Sequence, residues 1–221
     1  MNRNIVITGA NRGIGLALCK HYTANGDNVY AVCRTVNNEL LDTGAHVING
    51  IDVSQASDIE NLRATLHDKP IDILINNAGI WGAQRLGSID YEALNHVMQV
   101  NAVAPLRITE ALLSNMGSGT KIVLITSRMG SIDDNSSGGR YCYRMSKAAL
   151  NAAGKSLAVD LLEEGIAVAI LHPGAVQTDM TNGGGDIDTH TAVARLTQRI
   201  SELNLDNTGT FWHSNGEVLP W

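Results

Sequence analysis

Short apolar runs, each closed by a polar loop, alternate along this chain with longer stretches of helical periodicity. The runs are Asn4–Thr8 (NIVIT), Asn28–Cys33 (NVYAVC), His46–Gly50 (HVING), Ile71–Asn76 (IDILIN), Lys121–Thr126 (KIVLIT), Ile166–Leu171 (IAVAIL) and Gly209–Trp212 (GTFW). Most are continuous in valine and isoleucine, the pattern of strands covered on both faces in a parallel sheet. Helical patterns fill the intervals at Gly13–Asn25, Gln55–His67, Tyr91–Met116, Tyr141–Glu164 and roughly Asp188–Leu203. The alternation predicts an α/β fold with a doubly wound, mainly parallel, seven-stranded sheet and helices on both faces. A chain of 221 residues suffices for one core and is short for two, so residues 1–221 are read as a single domain. In such a sheet ligands gather outside the carboxyl ends of the strands, so the loops after the strands are where chemistry is expected.

Composition narrows the classes. A net charge of −6 argues against a general nucleic-acid binder. Cys19, Cys33 and Cys142 share no C-x-x-C spacing, which predicts reduced packing thiols in a cytoplasmic protein and no structural zinc. The apolar run near the start is too short for a signal peptide, and no 18-residue apolar stretch follows, so no membrane partner is expected.

The loop after the first strand reads TGANRGIG, with Gly9, Gly13 and Gly15, and it opens the first helix. Strand, glycine turn and helix together form the context of a dinucleotide loop. Glycine lets the backbone approach a pyrophosphate, and the helix N-terminus offers free N–H groups. An acidic residue about 20 positions on ordinarily bonds the ribose 2′-hydroxyl of NAD. Here AVCRTVNN, from Ala31 to Asn38, holds no acid; it holds Arg34, and Arg12 lies in the glycine loop. A guanidinium suits a 2′-phosphate, so the expected cofactor is NADP(H), with NAD(H) the weaker alternative.

The segment YRMSKAALN places Tyr143 and Lys147 four residues apart, on one side of a helix. Tyr141 is the competing phenol, but its neighbour one turn on is Met145. The other strand ends carry IDVS (Asp52, Val53), NNAG (Asn76–Gly79), TSRMGS (Ser127) and HPGAVQTDM (Pro173, Gly174, Val176, Thr178), and Asn101 lies inside a helical stretch. In this order the motifs TG-x-x-x-G-x-G, NNAG, Asn, Ser, Y-x-x-x-K and PG-x-x-x-T resemble those of the short-chain dehydrogenase/reductases, over essentially the whole chain. The compact C-factor and sniffer-like carbonyl reductases are the most similar subgroup, through SRMGSIDDNSSGG, YRMSKAALN and the final G-x-x-LPW. The stretch from Ser127 to Tyr143 is a few residues longer than in the wider family.

The resemblance implies a Rossmann-type fold and an NADPH-dependent oxidoreductase of carbonyl or alcohol substrates. Tyr143 would be its general acid or base. Lys147 would lower the pKa of the phenol and bond the nicotinamide ribose. Ser127 would donate to the substrate oxygen, and Asn101 would hold a water linking Lys147 to solvent. Gly9, Asn11, Arg12, Gly13, Ile14, Gly15 and Arg34 would bind the cofactor, with Asp52 and Val53 around its adenine. Asn77, Ala78 and Gly79 would line its channel, and Pro173, Gly174, Val176 and Thr178 would hold the nicotinamide end. Trp81, Met129 and Tyr141 are candidates for the substrate pocket, and His172 is read as structural. Relatives pair the helices at Tyr91–Met116 and Tyr141–Glu164 between subunits, so a homodimer or homotetramer is expected. A dinucleotide-binding signalling protein of the C-factor kind, with little turnover, is the alternative function.

Overall fold

The computed structural model describes residues 2–82 and 84–221. Strands β1 (Asn4–Thr8), β2 (Asn28–Val32), β3 (His46–Ile48), β4 (Ile73–Asn76), β5 (Lys121–Ile125), β6 (Ala167–His172) and β7 (Phe211–His213) form one sheet. Its order is β3-β2-β1-β4-β5-β6-β7, and every neighbouring pair is parallel. The order reverses between β1 and β4, so the loops after these two strands flank the switch point, where an open α/β sheet binds its ligands.

Helices α1 (Gly13–Ala24), α2 (Asn38–Leu41), α3 (Ala56–Thr65), α4 (Tyr91–Met98), α5 (Ala104–Leu112), α6 (Tyr141–Asp160) and α7 (Thr189–Glu202) cover both faces. The continuous apolar strands are explained by the two-residue period of the pleat. Ile5 and Ile7 pack with Leu16, Leu18, Val193 and Leu196 of α1 and α7, while Val6 between them packs with Ile59, Leu62 and Ile108 of α3 and α5. Gly154 lets α6 lie close on the sheet: a Cβ there would stand 2.7 Å from Leu124 and 2.8 Å from Ile170.

The strands fall where the apolar runs predict, with ends shifted by a residue or two. The helical stretch at Tyr91–Met116 is not one regular helix. It is broken by a π-helical turn over Gln99–Val103 and closes in a 3-10 turn, Leu113–Asn115. Pro105, near the start of α5, has no N–H for the Asn101 carbonyl four residues back, and the ladder widens there, the Ala104 N–H reaching the Gln99 carbonyl instead. Regular α6 ends at Asp160, four residues before the predicted Glu164. The short α2, capped by the Asn37 side chain on the Leu40 N–H, escapes a periodicity search because it is one turn long.

Candidate functional site

At the switch point the loops after β1 and β4 are in contact, and glycine is required for it. Gly9 has φ +66°, and a Cβ on it would stand 2.9 Å from the Ala78 Cα; a Cβ on Gly15 would overlap the Gly9 carbonyl. The Thr8 hydroxyl accepts the N–H groups of Asn77 and Ala78, both at 3.0 Å, and the Asn77 amide donates to the carbonyls of Thr8 at 2.9 Å and Gly9 at 3.2 Å. Asn11 donates to the Thr35 carbonyl at 2.8 Å, joining the glycine loop to the chain after β2. The N-cap of α1 is Arg12, whose backbone is extended and whose side chain caps nothing, and no acid stands in the first turn. Free N–H groups and the positive end of the helix dipole therefore face a groove of about 400 Å³.

That groove gathers most of the predicted cofactor residues. Gly9, Asn11, Arg12, Gly13 and Ile14 line it together with Arg34, Asp52, Val53, Asn77, Ala78, Gly79, Pro173 and Thr178, and Tyr143 and Lys147 close it. Gly15, Gly174 and Val176 are not on its wall. Gly15 lies behind Gly9, Gly174 packs toward Ile187 and His213, and the buried Val176 pairs with Ile187. The lining also includes Cys33, Thr35, Ile51, Ile80, Val100, Ile125, Thr126, Asp179 and Met180, which sequence reasoning missed. Most adjoin motif residues in the chain, but their side chains carry no spacing signal of their own. Cys33, read as packing, is buried and also lines the groove.

The two arginines predicted for a 2′-phosphate are present but loosely engaged. Arg12 lies 3.9 Å from Asp179 and Arg34 lies 3.9 Å from Asp52, with both guanidinium groups largely exposed. Burial pushes the Asp52 carboxyl up, but hydrogen bonds from the Ser54 N–H (2.9 Å) and hydroxyl (2.7 Å), and the charge of Arg34, bring it below the usual carboxylate range.

At the other end the four residues of the predicted tetrad converge. Asn101 is fully buried in the π-helical turn; it accepts the Ile80 N–H at 2.8 Å and donates to the Ile80 carbonyl at 2.9 Å and the Ser146 hydroxyl at 3.0 Å. Its side chain thus secures the loop after β4, and a water relay would have to use its main chain. A Cβ on Gly79 would sit 3.4 Å from the Asn101 Oδ1 and 3.7 Å from the Lys147 Nζ. Ser127 caps the turn Arg128–Gly130, accepting the Met129 N–H at 3.1 Å.

Lys147 and Tyr143 depart from the expected electrostatics. The Lys147 ammonium donates to the Ile125 carbonyl at 2.9 Å and lies 5.7 Å from the centre of the Tyr143 ring. Burial pushes the Tyr143 phenol up to about 12, partly offset by the neighbouring Ser127 side chain, where the resemblance implies a phenol lowered by the lysine. Burial also brings Lys147 down to about 8. A lysine whose pKa falls on folding opposes folding while it is charged. That cost is fully present below pH 8 and disappears as pH rises to 10.5. It amounts to roughly 3 kcal/mol, against roughly 1 kcal/mol for the bond to Ile125. Lys147→Met is therefore expected to stabilise the cofactor-free protein by about 1–3 kcal/mol at pH 7 and by nothing at pH 11, measured by urea unfolding at both pH values.

None of the three substrate candidates lines the groove. Trp81, 43% exposed, packs on Tyr143 with ring centroids 4.6 Å apart. Met129 is partly buried beside Ser127, with its carbonyl accepting from Arg144 at 3.4 Å. Tyr141 is partly buried at the start of α6, its N–H reaching the Gln84 carbonyl at 3.4 Å. His172 stands edge-on to His213, ring centroids 4.9 Å apart; burial first, then the charge of its neighbours, brings it down to about 3.

A parallel sheet with a glycine-lined groove at its switch point and an uncapped helix N-terminus defines a Rossmann-type α/β protein. The model of the short chain dehydrogenase family matches residues 3–186, and the chain belongs to that family. It is 35% identical over 223 residues to the 1-hydroxy-2-glutathionyl-2-methyl-3-butene dehydrogenase of Rhodococcus sp. (strain AD45), covering 98% of this chain and 99% of that protein. It is 42% identical over 155 residues to the C-signal of Myxococcus xanthus, covering 69% of this chain and 93% of that protein. Among solved structures, the carbonyl reductase Sniffer of D. melanogaster superposes with a TM-score of 0.91 at 33% identity, over all of both chains. The NADPH-bound carbonyl reductase from chicken fatty liver does so with a TM-score of 0.90 at 29% identity, over 100% of this chain and 99% of that one.

Proposed function

We propose that the protein is an NADPH-dependent reductase of small carbonyl compounds. The observation that carries this reading is one groove with Arg12 and Arg34 along it and Tyr143 and Lys147 at its end, with Ser127 beside Tyr143. The free N–H groups opening α1 would take the pyrophosphate, the two arginines the 2′-phosphate, and Thr178 and Pro173 the carboxamide end. When bound, the reduced nicotinamide supplies the hydride. Ser127 positions the substrate oxygen, and Tyr143 gives it a proton as negative charge develops there. A phenol pushed up by burial holds its proton at neutral pH and is available there as the donor for reduction. In the oxidative direction the phenol must be lowered, and among the described residues Lys147 is the cationic side chain on the groove wall beside it. Trp81 covers one side of the phenol and would border the substrate. Likeness to NADPH-bound and Sniffer carbonyl reductases supports the cofactor and the reaction. A screen of aldehydes and ketones with NADPH, followed by loss of nicotinamide absorbance, tests it; no turnover with any of them would sink it.

Likeness to the C-signal favours the second reading, a signalling protein that holds the dinucleotide with little turnover. NADPH binding without turnover in that screen would select it. Among the described residues no helix is long and apolar enough to cross a membrane, and the three free cysteines are buried, which suits a reducing cytoplasm.

The outer side of α6 leaves Met145 and Val159 exposed, with Leu162 just beyond its end. Apolar groups of this kind along one helix suit a symmetric contact between subunits. Light scattering is expected to give a mass at least twice 23.6 kDa; a monomer across a wide concentration range would refute the assembly.

A further inference from the structure

Three consecutive residues at the end of β5 meet three residues of α6 spaced one turn apart. On the helix these are Tyr143, Lys147 and Asn151; on the strand end they are Ile125, Thr126 and Ser127. The Lys147 ammonium reaches the Ile125 carbonyl at 2.9 Å. The Thr126 hydroxyl donates to the Asn151 Oδ1 at 2.6 Å, while the Thr126 N–H donates to the Leu171 carbonyl of β6 at 2.8 Å. Gly130 supplies the third contact. Its N–H closes the turn onto the Ser127 carbonyl at 2.8 Å, and a Cβ on it would lie 2.7 Å from the carbonyl carbon of Lys147 and 2.9 Å from the Asn151 Nδ2.

The polar pair is not what packing alone calls for. Thr126 and Asn151 are 2% and 3% exposed, and the Asn151 Nδ2 has no hydrogen-bond partner among the described residues, so an apolar pair there would avoid a desolvation penalty. A short hydrogen bond has direction, however, and it ties the residue immediately before Ser127 to the helix that carries Tyr143. Gly130 is not among the glycines at positive φ, so its missing side chain serves close approach alone.

We infer that Thr126 and Asn151 are positioning residues: their hydroxyl–amide pair, with Gly130 seated on α6, sets where Ser127 stands relative to Tyr143. The inference rests on the proposed roles of Ser127 and Tyr143; Thr126 lines the groove, but its hydroxyl is engaged by Asn151, which does not, so the pair acts on proton transfer more than on cofactor binding.

Thr126→Val removes the hydroxyl at nearly constant volume, and Thr126→Ser restores it. The readouts are kcat with an aldehyde, NADPH affinity by fluorescence, and the 13Cζ resonance of Tyr143 in tyrosine-labelled protein, assigned with Tyr143→Phe. Thr126→Val is expected to lower kcat by roughly tenfold to a hundredfold, to leave NADPH affinity within about twofold, and to move the Tyr143 resonance. Thr126→Ser is expected to return both kcat and the resonance toward the parent. Asn151→Ala, which removes the acceptor and lies off the groove wall, should repeat the loss of kcat at little-changed NADPH affinity, and it decides the matter by the same readouts if Thr126→Val does not fold. Unchanged kcat and an unmoved resonance in folded Thr126→Val would overturn the inference and leave the reductase reading standing; so would a parallel loss of kcat and NADPH affinity. A resonance that moves in Thr126→Val and returns in Thr126→Ser, in a protein that reduces no carbonyl, would uphold the positioning and remove the reductase reading.

Discussion

Tyr143→Phe is expected to lower carbonyl turnover by ~10²–10⁴-fold, the usual cost of losing a positioned general acid. The ring stays on Trp81 and the fold should survive, because only the hydroxyl goes. NADPH affinity should change little, since the groups proposed for the phosphates lie on the glycine loop and at Arg34, away from the phenol. Lys147→Ala should impair turnover and cofactor binding together, because the ammonium serves both the phenol and the ribose in the proposed mechanism. Tyr141→Phe is the control. Tyr141 has no lysine one turn on, and it does not line the groove, whereas Tyr143 lines it and stands beside Ser127. Turnover and NADPH affinity of the three variants beside the parent check the assignment. Near-parent turnover in Tyr143→Phe with loss in Tyr141→Phe would reverse the two phenols.

NADPH is expected to bind on the order of a hundredfold more tightly than NADH, because hydrogen bonds to a charged partner contribute roughly 1.5–3 kcal/mol each and two arginines are available. The competing terms are small. Arg12 and Arg34 each face a carboxylate at 3.9 Å across exposed surface, and pairs of that kind contribute about 0–1 kcal/mol, so a phosphate displaces them at little cost. Arg34→Asp should shift preference toward NADH, by removing the charge and supplying a carboxylate for a 2′-hydroxyl. Added salt should narrow the gap, because the arginines are open to solvent. Titration of both cofactors at two ionic strengths measures this, and equal dissociation constants would refute the assignment.

Residues close in the chain determined much of this protein by themselves. Runs such as KIVLIT and IAVAIL have the pattern of strands buried on both faces, and TGANRGIG between strand and helix places a turn that Gly9, at φ +66°, makes possible. The four-residue step from Tyr143 to Lys147 puts both on one side of α6, and both line the groove. These are matters of local period and backbone freedom, written in consecutive residues. Tertiary structure decided where Asn101 turns inward, because the break between α4 and α5 depends on Pro105 together with the Ile80 backbone brought against it from another loop. It decided that Lys147 reaches the Ile125 carbonyl and that burial holds the Tyr143 phenol at about 12. It brought Cys33 and Met180 to the groove wall and Trp81 onto the phenol, and it joined Thr126 to Asn151 across 25 residues. Hydrogen-bond partners and desolvation are set by what packs around a group, and those neighbours come from strands and loops that no local spacing relates.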